Sequence, residues 1–186
     1  MDTRQALLRS ARKAFAERGY AATSLEDLAR TLGLTKAAVY HHFTSKRALL
    51  EALLEEGSQE TQRALSRPGT LHQRLMALGL AYRGQVEPLT ALMTAQSGRR
   101  GGDQEATHLA QEAMNRGIEQ LAKVLEKVSP GHGRPLAVIF ASIVHGAYMT
   151  AQHVPGYSVE LLLQEGVDLF VRGLPQQKSG IGKHFS

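Results

Sequence analysis

Cysteine is absent from the 186 residues, so no disulfide framework, thiolate metal site or thiol nucleophile is available. The N-terminus opens with charged residues and lacks the apolar stretch of a signal peptide, and the longest apolar run looks too short to span a bilayer. A cytoplasmic protein is the expectation. No convincing strand appears. The run LAVIFASIV at 136–144 could pass for a buried strand, but it continues without a breaker to Val154, and Pro135 sits where a first helical turn tolerates proline. Helix is the better reading. There is no nucleophile elbow, no Gly-rich phosphate loop, no zinc helix motif and no dense carboxylate pair. A triad of Ser142, His145 and Asp168 can be imagined, but nothing in the sequence supports it, and the chain is read as a non-enzyme without a cofactor. Internal repeats are missing, and the single asparagine hints at source composition rather than function.

Histidine is plentiful, with eight residues, yet the spacing argues against a compact metal site. His41 and His42 are adjacent and point about 100° apart on a helix, while His145 and His153 would lie about 12 Å apart along one axis. Neither pair can chelate one ion alone.

What the chain does carry is an uneven charge. The formal net charge is +5; residues 1–50 hold nine Lys or Arg against four Asp or Glu, and residues 51–186 hold thirteen of each. All of the excess is N-terminal, where a localised positive face attracts phosphates and releases counterions. In the same part, Leu25, Leu28, Ala29 and Leu32 recur at i, i+3, i+4 and i+7, opposite a face of Glu26, Asp27 and Arg30. Thr23 and Ser24 can cap this helix. Gly33 supplies a left-handed stop, Leu34 follows as a hydrophobic plug, and Thr35 suits the N-cap of a further short helix. Within that second helix Val39 and Phe43 can fold back onto the first, leaving Lys36, Ala37, Tyr40 and His41 together outside. Two short helices joined by a glycine-containing turn form a helix-turn-helix, which reads DNA.

These residues resemble the TetR family of bacterial transcriptional regulators over roughly positions 4–50. The resemblance extends beyond the motif to Ala14 and Phe15, to the exit pair Gly19 and Tyr20, to the segment TLGLTKAAVYHHF, and to the closing Lys46 and Leu49. It implies that the short third helix enters the major groove with Lys36, Ala37, Tyr40 and His41 toward DNA, and that Tyr40 and Lys46 hold phosphates. Thr23, Ser24 and Thr35, at the helix starts, complete the expected DNA-contacting set. The chain departs from the common pattern at Ala37 and Ala38, where glycine or serine and then threonine are frequent. Fewer side chains remain to read bases by hydrogen bonding, so thymine methyl contact and DNA shape gain weight.

The expected fold is all-α: a three-helix DNA-binding domain over residues 1–46, then a helical ligand-binding and dimerisation domain over 47–186, of which 175–186 reads as a frayed tail. A long helix should run from Lys46 to about Leu65, broken by Arg67, Pro68 and Gly69. Further helices are expected near 70–84, 86–97, 103–129, 135–153 and 158–174, with loops at 97–102 and 130–134. In the final helix Val159, Leu163, Val167 and Phe170 form an apolar seam continued by Leu174 and widened by Leu162, Leu169 and Val171. The helix before it is apolar nearly all round, with Ala141, Gly146 and Ala147 allowing close approach, so a partner helix pair would cover what one small body cannot. The resemblance implies a homodimer through a four-helix bundle, two reading helices about 34 to 36 Å apart, and a near-palindromic double-stranded DNA site.

It also implies a small-molecule pocket among the body helices, with ligand binding swinging the reading heads apart. Met76, Leu80, Met93, Met114, Ile118, Phe140 and Tyr148 are the pocket candidates, joined by Leu75 and Met149, since methionine suits variably shaped apolar ligands. Arg83, Arg116, His108 and His145 are candidate polar anchors, and an arginine beside an apolar pocket would suit an acyl or aromatic carboxylate or its thioester. A repressor released by an effector is therefore expected; the alternatives are a DNA-binding protein without an effector and, less favoured, a helical enzyme.

Overall fold

The computed structural model describes residues 2–82 and 104–174, and every regular element among them is a helix. The N-terminal helices are short because the sequence marks each boundary with a cap. Helix α1 (Thr3–Arg18) begins where the Asp2 carboxylate accepts the Arg4 N–H, and it stops at Gly19, whose φ is 84°. Helix α2 (Leu25–Leu32) is capped by Ser24, whose hydroxyl accepts the Asp27 N–H at 3.1 Å and donates to the Asp27 carboxylate at 2.7 Å. A cap of this kind contributes about 1 kcal/mol.

Gly33 then adopts φ 65° and ψ 27°, a left-handed conformation that costs other residues about 1 to 2 kcal/mol. The turn lets the Leu34 N–H reach the Ala29 carbonyl at 2.9 Å. Thr35 caps α3 (Lys36–His42) through the Ala38 N–H, and Ser45 caps α4 (Lys46–Ser66) through the Ala48 N–H.

In the body, α5 (Leu71–Ala81) opens on a reciprocal cap, in which Thr70 and Gln73 each accept the other's backbone N–H. Three helices follow in the second described stretch: α6 (Gln104–Glu126), α7 (Gly133–His153) and α8 (Val159–Arg172). Helix α7 starts two residues before Pro135, which keeps that proline inside the first turn. The Glu126 carboxylate closes the turn between α6 and α7 by accepting the Gly131 N–H at 2.6 Å and the Gly133 N–H at 2.9 Å. Those two bonds hold its pKa below the usual carboxylate range. The expected helix at 86–97, the loop at 97–102 and the tail at 175–186 lie outside the described residues.

Buried side chains form two clusters. The first joins Leu8, Phe15, Leu28, Val39, Phe43 and Leu49, and it takes in Ala106 and Ala110 from the start of α6. The second joins Leu65, Leu75, Leu125, Phe140, Val144, Leu163, Val167 and Phe170. Each buried Leu, Val or Phe contributes about 1.5 to 3 kcal/mol of hydrophobic stabilisation. Helix α4 belongs to both, giving Leu49, Leu50 and Leu53 to the first and Leu65 to the second.

Two expectations need correction. The seam assigned to dimerisation is used internally: Leu163 and Val167 are fully buried, Phe170 packs its ring 5.3 Å from that of Phe140, and Val159 is half-buried against the same core. One helix has one core-facing stripe, and here the body takes it. Gly166 allows the close approach, since a Cβ there would lie 2.6 Å from Ile143 Cγ2. The apolar surface left over is a different stripe, with Ile139 51% exposed on α7 and Leu169 68% exposed on α8.

The second correction concerns α7, which is long and apolar enough to cross a membrane by composition, with a window of mean hydropathy 1.2. Expectation put every apolar run below that length; the small and weakly polar residues between the aliphatic ones account for the difference. Only 28% of that window is buried, although Ala137, Phe140, Val144 and Tyr148 build the second cluster.

Candidate nucleic-acid interface and effector cavity

The reading surface follows from what α3 must bury. Val39 is fully enclosed and Phe43 nearly so, against Leu28 and Ala29 of α2 and the α1 side chains behind them. That fixes the roll of the helix and leaves Lys36, Ala37, Tyr40, His41 and His42 exposed on its outer side. Arg4 adds a cation over the Phe43 ring at 5.4 Å. Lys36, Ala37, Tyr40 and His41 thus share the surface expected for them.

The remaining members of the expected set are placed differently. Thr23 is turned inward; its hydroxyl donates to the Gly19 carbonyl at 2.9 Å, and only 2% of the residue is exposed. It pins the turn between α1 and α2 and has no surface to offer a phosphate. Ser24 and Thr35 spend their hydroxyl acceptors on helix caps. The Lys46 ammonium sits 4.2 Å over the Tyr20 ring and donates to the Tyr20 carbonyl at 2.8 Å, so it fastens α4 to the end of α1.

One acidic residue that the sequence placed only on a polar face stands at the centre of the reading surface. Glu26 Oε1 accepts from Lys36 Nζ at 2.8 Å and from the Tyr40 hydroxyl at 3.2 Å. The Lys36 hydrogen bond is the main cause that holds the Glu26 carboxyl below its usual range, and the same contact raises the Lys36 ammonium. Phosphate oxygens must compete with this carboxylate for both groups. Local spacing gave no signal for this contact, because Glu26 stands at the start of α2, away from the turn, and the pairing depends on how the two helices cross.

Between the two buried clusters lies a cavity of about 640 Å³. Its walls come from Leu50, Leu53 and Thr61 of α4, Leu78 of α5, Met114, Ile118 and Leu121 of α6, and Phe140, Ala141 and Val144 of α7. Of the expected pocket residues, Met114, Ile118 and Phe140 are there, and so is His145. The others are elsewhere. Met76 packs at the edge of the second cluster, and Leu80 is 45% exposed, facing outward. Tyr148 is buried, with its hydroxyl donating to the Gly79 carbonyl at 3.0 Å. Among the anchors Arg116 is exposed, His108 meets Glu112 at the surface, and Arg83, like Met93, lies outside the described residues.

The charged side chain that does line the cavity is Arg12, from α1. It bonds Glu56 Oε2 at 3.3 Å, while Gln5 donates to Glu56 Oε1 at 3.0 Å. Sequence periodicity could not assign it, since a polar residue on an N-terminal amphipathic helix reads as solvated surface. Among the described residues no cluster of three or more His, Asp or Glu side chains is arranged to hold a metal ion.

The three capped helices over one core match the model of "Bacterial regulatory proteins, tetR family" across residues 7–53. Over these residues the chain is similar to the DNA-binding head of that family. The probable helix-turn-helix transcriptional regulator ArpR of Pseudomonas putida is 38% identical over 78 residues, 42% of this chain. That stretch spans only 37% of ArpR. The fold extends further. A TerR/AcrR-family transcriptional regulator from Aquifex aeolicus superimposes with a TM-score of 0.72 at 20% identity, covering 90% of this chain and 98% of its own. A regulator from Saccharomonospora viridis, solved in complex with choline, does so with 0.67 at 20% identity over 93% and 97%. At such identities the likeness speaks to the fold alone.

Proposed function

We propose that this protein is a homodimeric, cytoplasmic transcriptional repressor of the tetR family that occupies a near-palindromic operator and leaves it when a small apolar or amphipathic molecule fills the body. The observation that carries the reading is the outer face of α3, where Lys36, Ala37, Tyr40 and His41 stand together in front of a closed core. Phosphate contacts position such a helix and base contacts give it sequence preference. In this reading residues 1–46 form the head, residues 47–186 form the body, and no catalytic step is assigned to either.

Dimerisation is supported by the apolar stripe that the body leaves uncovered. Its exposed members are Val138 and Ile139 on α7 and Leu161 and Leu169 on α8, flanked by Ile143 and Leu162, which are half-buried against the second cluster. Large apolar patches of this kind mark interaction sites, and a two-fold axis through them makes the same patch serve both copies. The effector role is supported by the cavity, whose size falls in the range of small-molecule sites, and by a neighbour of the same fold that holds choline.

Selection of bound sequences from a random duplex library at about 150 mM salt tests the reading. A single inverted repeat with half-sites about one helical turn apart is the expected result. No enrichment, or enrichment of a single half-site only, would sink it.

A further inference from the structure

We propose that the cavity takes an apolar monoanion, a fatty or aryl carboxylate, with its carboxylate on Arg12 in the position now held by Glu56. The inference rests on reading the cavity as the effector site and names what enters it. The walls described above are apolar, and Arg12 is the one Lys, Arg, Asp or Glu side chain among the described residues that line them. Apart from the imidazole of His145, which is solvent-exposed, an anionic end meets no other cationic group along these described walls, and a cationic end would meet the guanidinium.

The Arg12 contact has the character of a place-holder. Its distance to Glu56 is 3.3 Å through one nitrogen, longer than the 2.7 to 2.9 Å of a well-formed charge-assisted bond. A guanidinium can offer a carboxylate two parallel N–H groups, and this pair uses one of them. Glu56 would not be stranded by the exchange, because Gln5 already donates to its other oxygen. The site is also placed to report. Arg12 lies on α1 between Leu8, Ala11 and Phe15, whose side chains belong to the cluster that holds Val39 and hence α3. An anion that draws Arg12 away from Glu56 exchanges one of the two side-chain bonds from α1 to Glu56 on α4 for a bond to ligand, and so couples occupancy to the pose of the head.

Calorimetric titration of the full-length protein with decanoate, decanol and decyltrimethylammonium separates the contributions, because the three share one chain and differ in charge. Decanoate should bind about tenfold or more tighter than decanol, the size of a charge-assisted hydrogen bond, and the cation should bind weakest. Arg12→Gln should bring decanoate down to the decanol level and leave decanol unchanged. Glu56→Gln, which removes the competing carboxylate, should tighten decanoate severalfold, an effect that a merely structural pair would not produce. Gly117→Leu, at a cavity-lining position where a Cβ meets open space, should abolish binding of all three.

Equal affinity for decanoate and decanol, no binding of decanoate, or decanoate binding unmoved by both Arg12→Gln and Glu56→Gln would each overturn the proposal. If Arg12→Gln fails to fold, Glu56→Gln decides alone, and unchanged or weaker decanoate binding overturns it. Operator selection without probe tests the regulator reading separately. Decanoate preference with no sequence-specific DNA binding would support the ligand class and remove the regulator.

Discussion

The head and the body of this chain are packed to different degrees of completion. In the head the buried apolar side chains pack into one cluster, each short helix has its cap, and two cations are already engaged, Lys36 by Glu26 and Lys46 by the Tyr20 carbonyl. Among the described residues of the body about 640 Å³ is left unfilled and a stripe through Ile139 and Leu169 stays exposed. A surface that must dock rigidly on DNA needs a fixed backing, since loose positioning weakens every contact that depends on it. On the proposed reading, a body that exchanges a ligand and meets a second copy needs surface of the kind that the described residues leave open. The difference is therefore one of role, and each region can be broken where it is most characteristic.

The largest effect is expected in the head. Phe15→Ala removes a fully buried ring from the cluster behind α3 and should cost about 3 to 5 kcal/mol of unfolding free energy by urea titration. That is a large share of the stability of an ordinary domain. A cost below about 1 kcal/mol would mean that the head is as loosely packed as the body. Next is Leu169→Arg, on the exposed stripe. It should shift the dimer toward monomer by tenfold or more in sedimentation equilibrium while helicity and the folded monomer persist. Leu163→Ala, on the buried seam of the same helix, should instead lower stability by about 2 to 5 kcal/mol. If Leu169→Arg left the assembly intact and Leu163→Ala dissolved it, the two stripes would have to exchange roles.

The same contrast governs how much could be read from sequence. The helix-turn-helix was legible because its determinants are local: Ser24, Gly33 and Thr35 act within three or four residues of where they stand, and the spacing of Leu28, Ala29, Val39 and Phe43 fixes which side goes inward. The body has no such punctuation at its sites. Val159, Leu163, Val167 and Phe170 spell a seam, but the same periodicity serves an internal core or a partner, and only the packing of α8 against α5 and α7 assigns it. Tyr148 and Met76 were plausible pocket residues by type and turned out to support the core. Arg12 reads in sequence as part of a solvated basic face, because the cavity it lines is formed by helices far apart in sequence. Thr23, legible as a cap, became an internal brace because its hydroxyl reaches the Gly19 carbonyl before any external partner.

The smallest expected effect sharpens the comparison most, because it asks whether the finished appearance of the head includes a deliberate restraint on DNA binding. Glu26 occupies Lys36 and Tyr40 in the free protein, and on DNA it must give up at least one of them or remain as a negative charge beside the phosphates. Glu26→Gln should therefore raise affinity for operator and for random DNA alike, about two- to fivefold given the modest worth of exposed pairs, and steepen the salt dependence by about one unit as Lys36 is freed for a phosphate. The pH dependence is fixed by sign. The Glu26 carboxyl is held below its usual range, so its charge and the contacts that need it are fully present above the ordinary glutamate value of about 4.3 and are lost only as pH falls through the lowered one. The ratio of variant to parent affinity should thus be flat from about pH 5.5 to 8, read by fluorescence anisotropy with a labelled duplex. A ratio that collapses to one within that window, or a variant that binds operator more weakly than the parent, would show that Glu26 orders the reading face for DNA and does not restrain it.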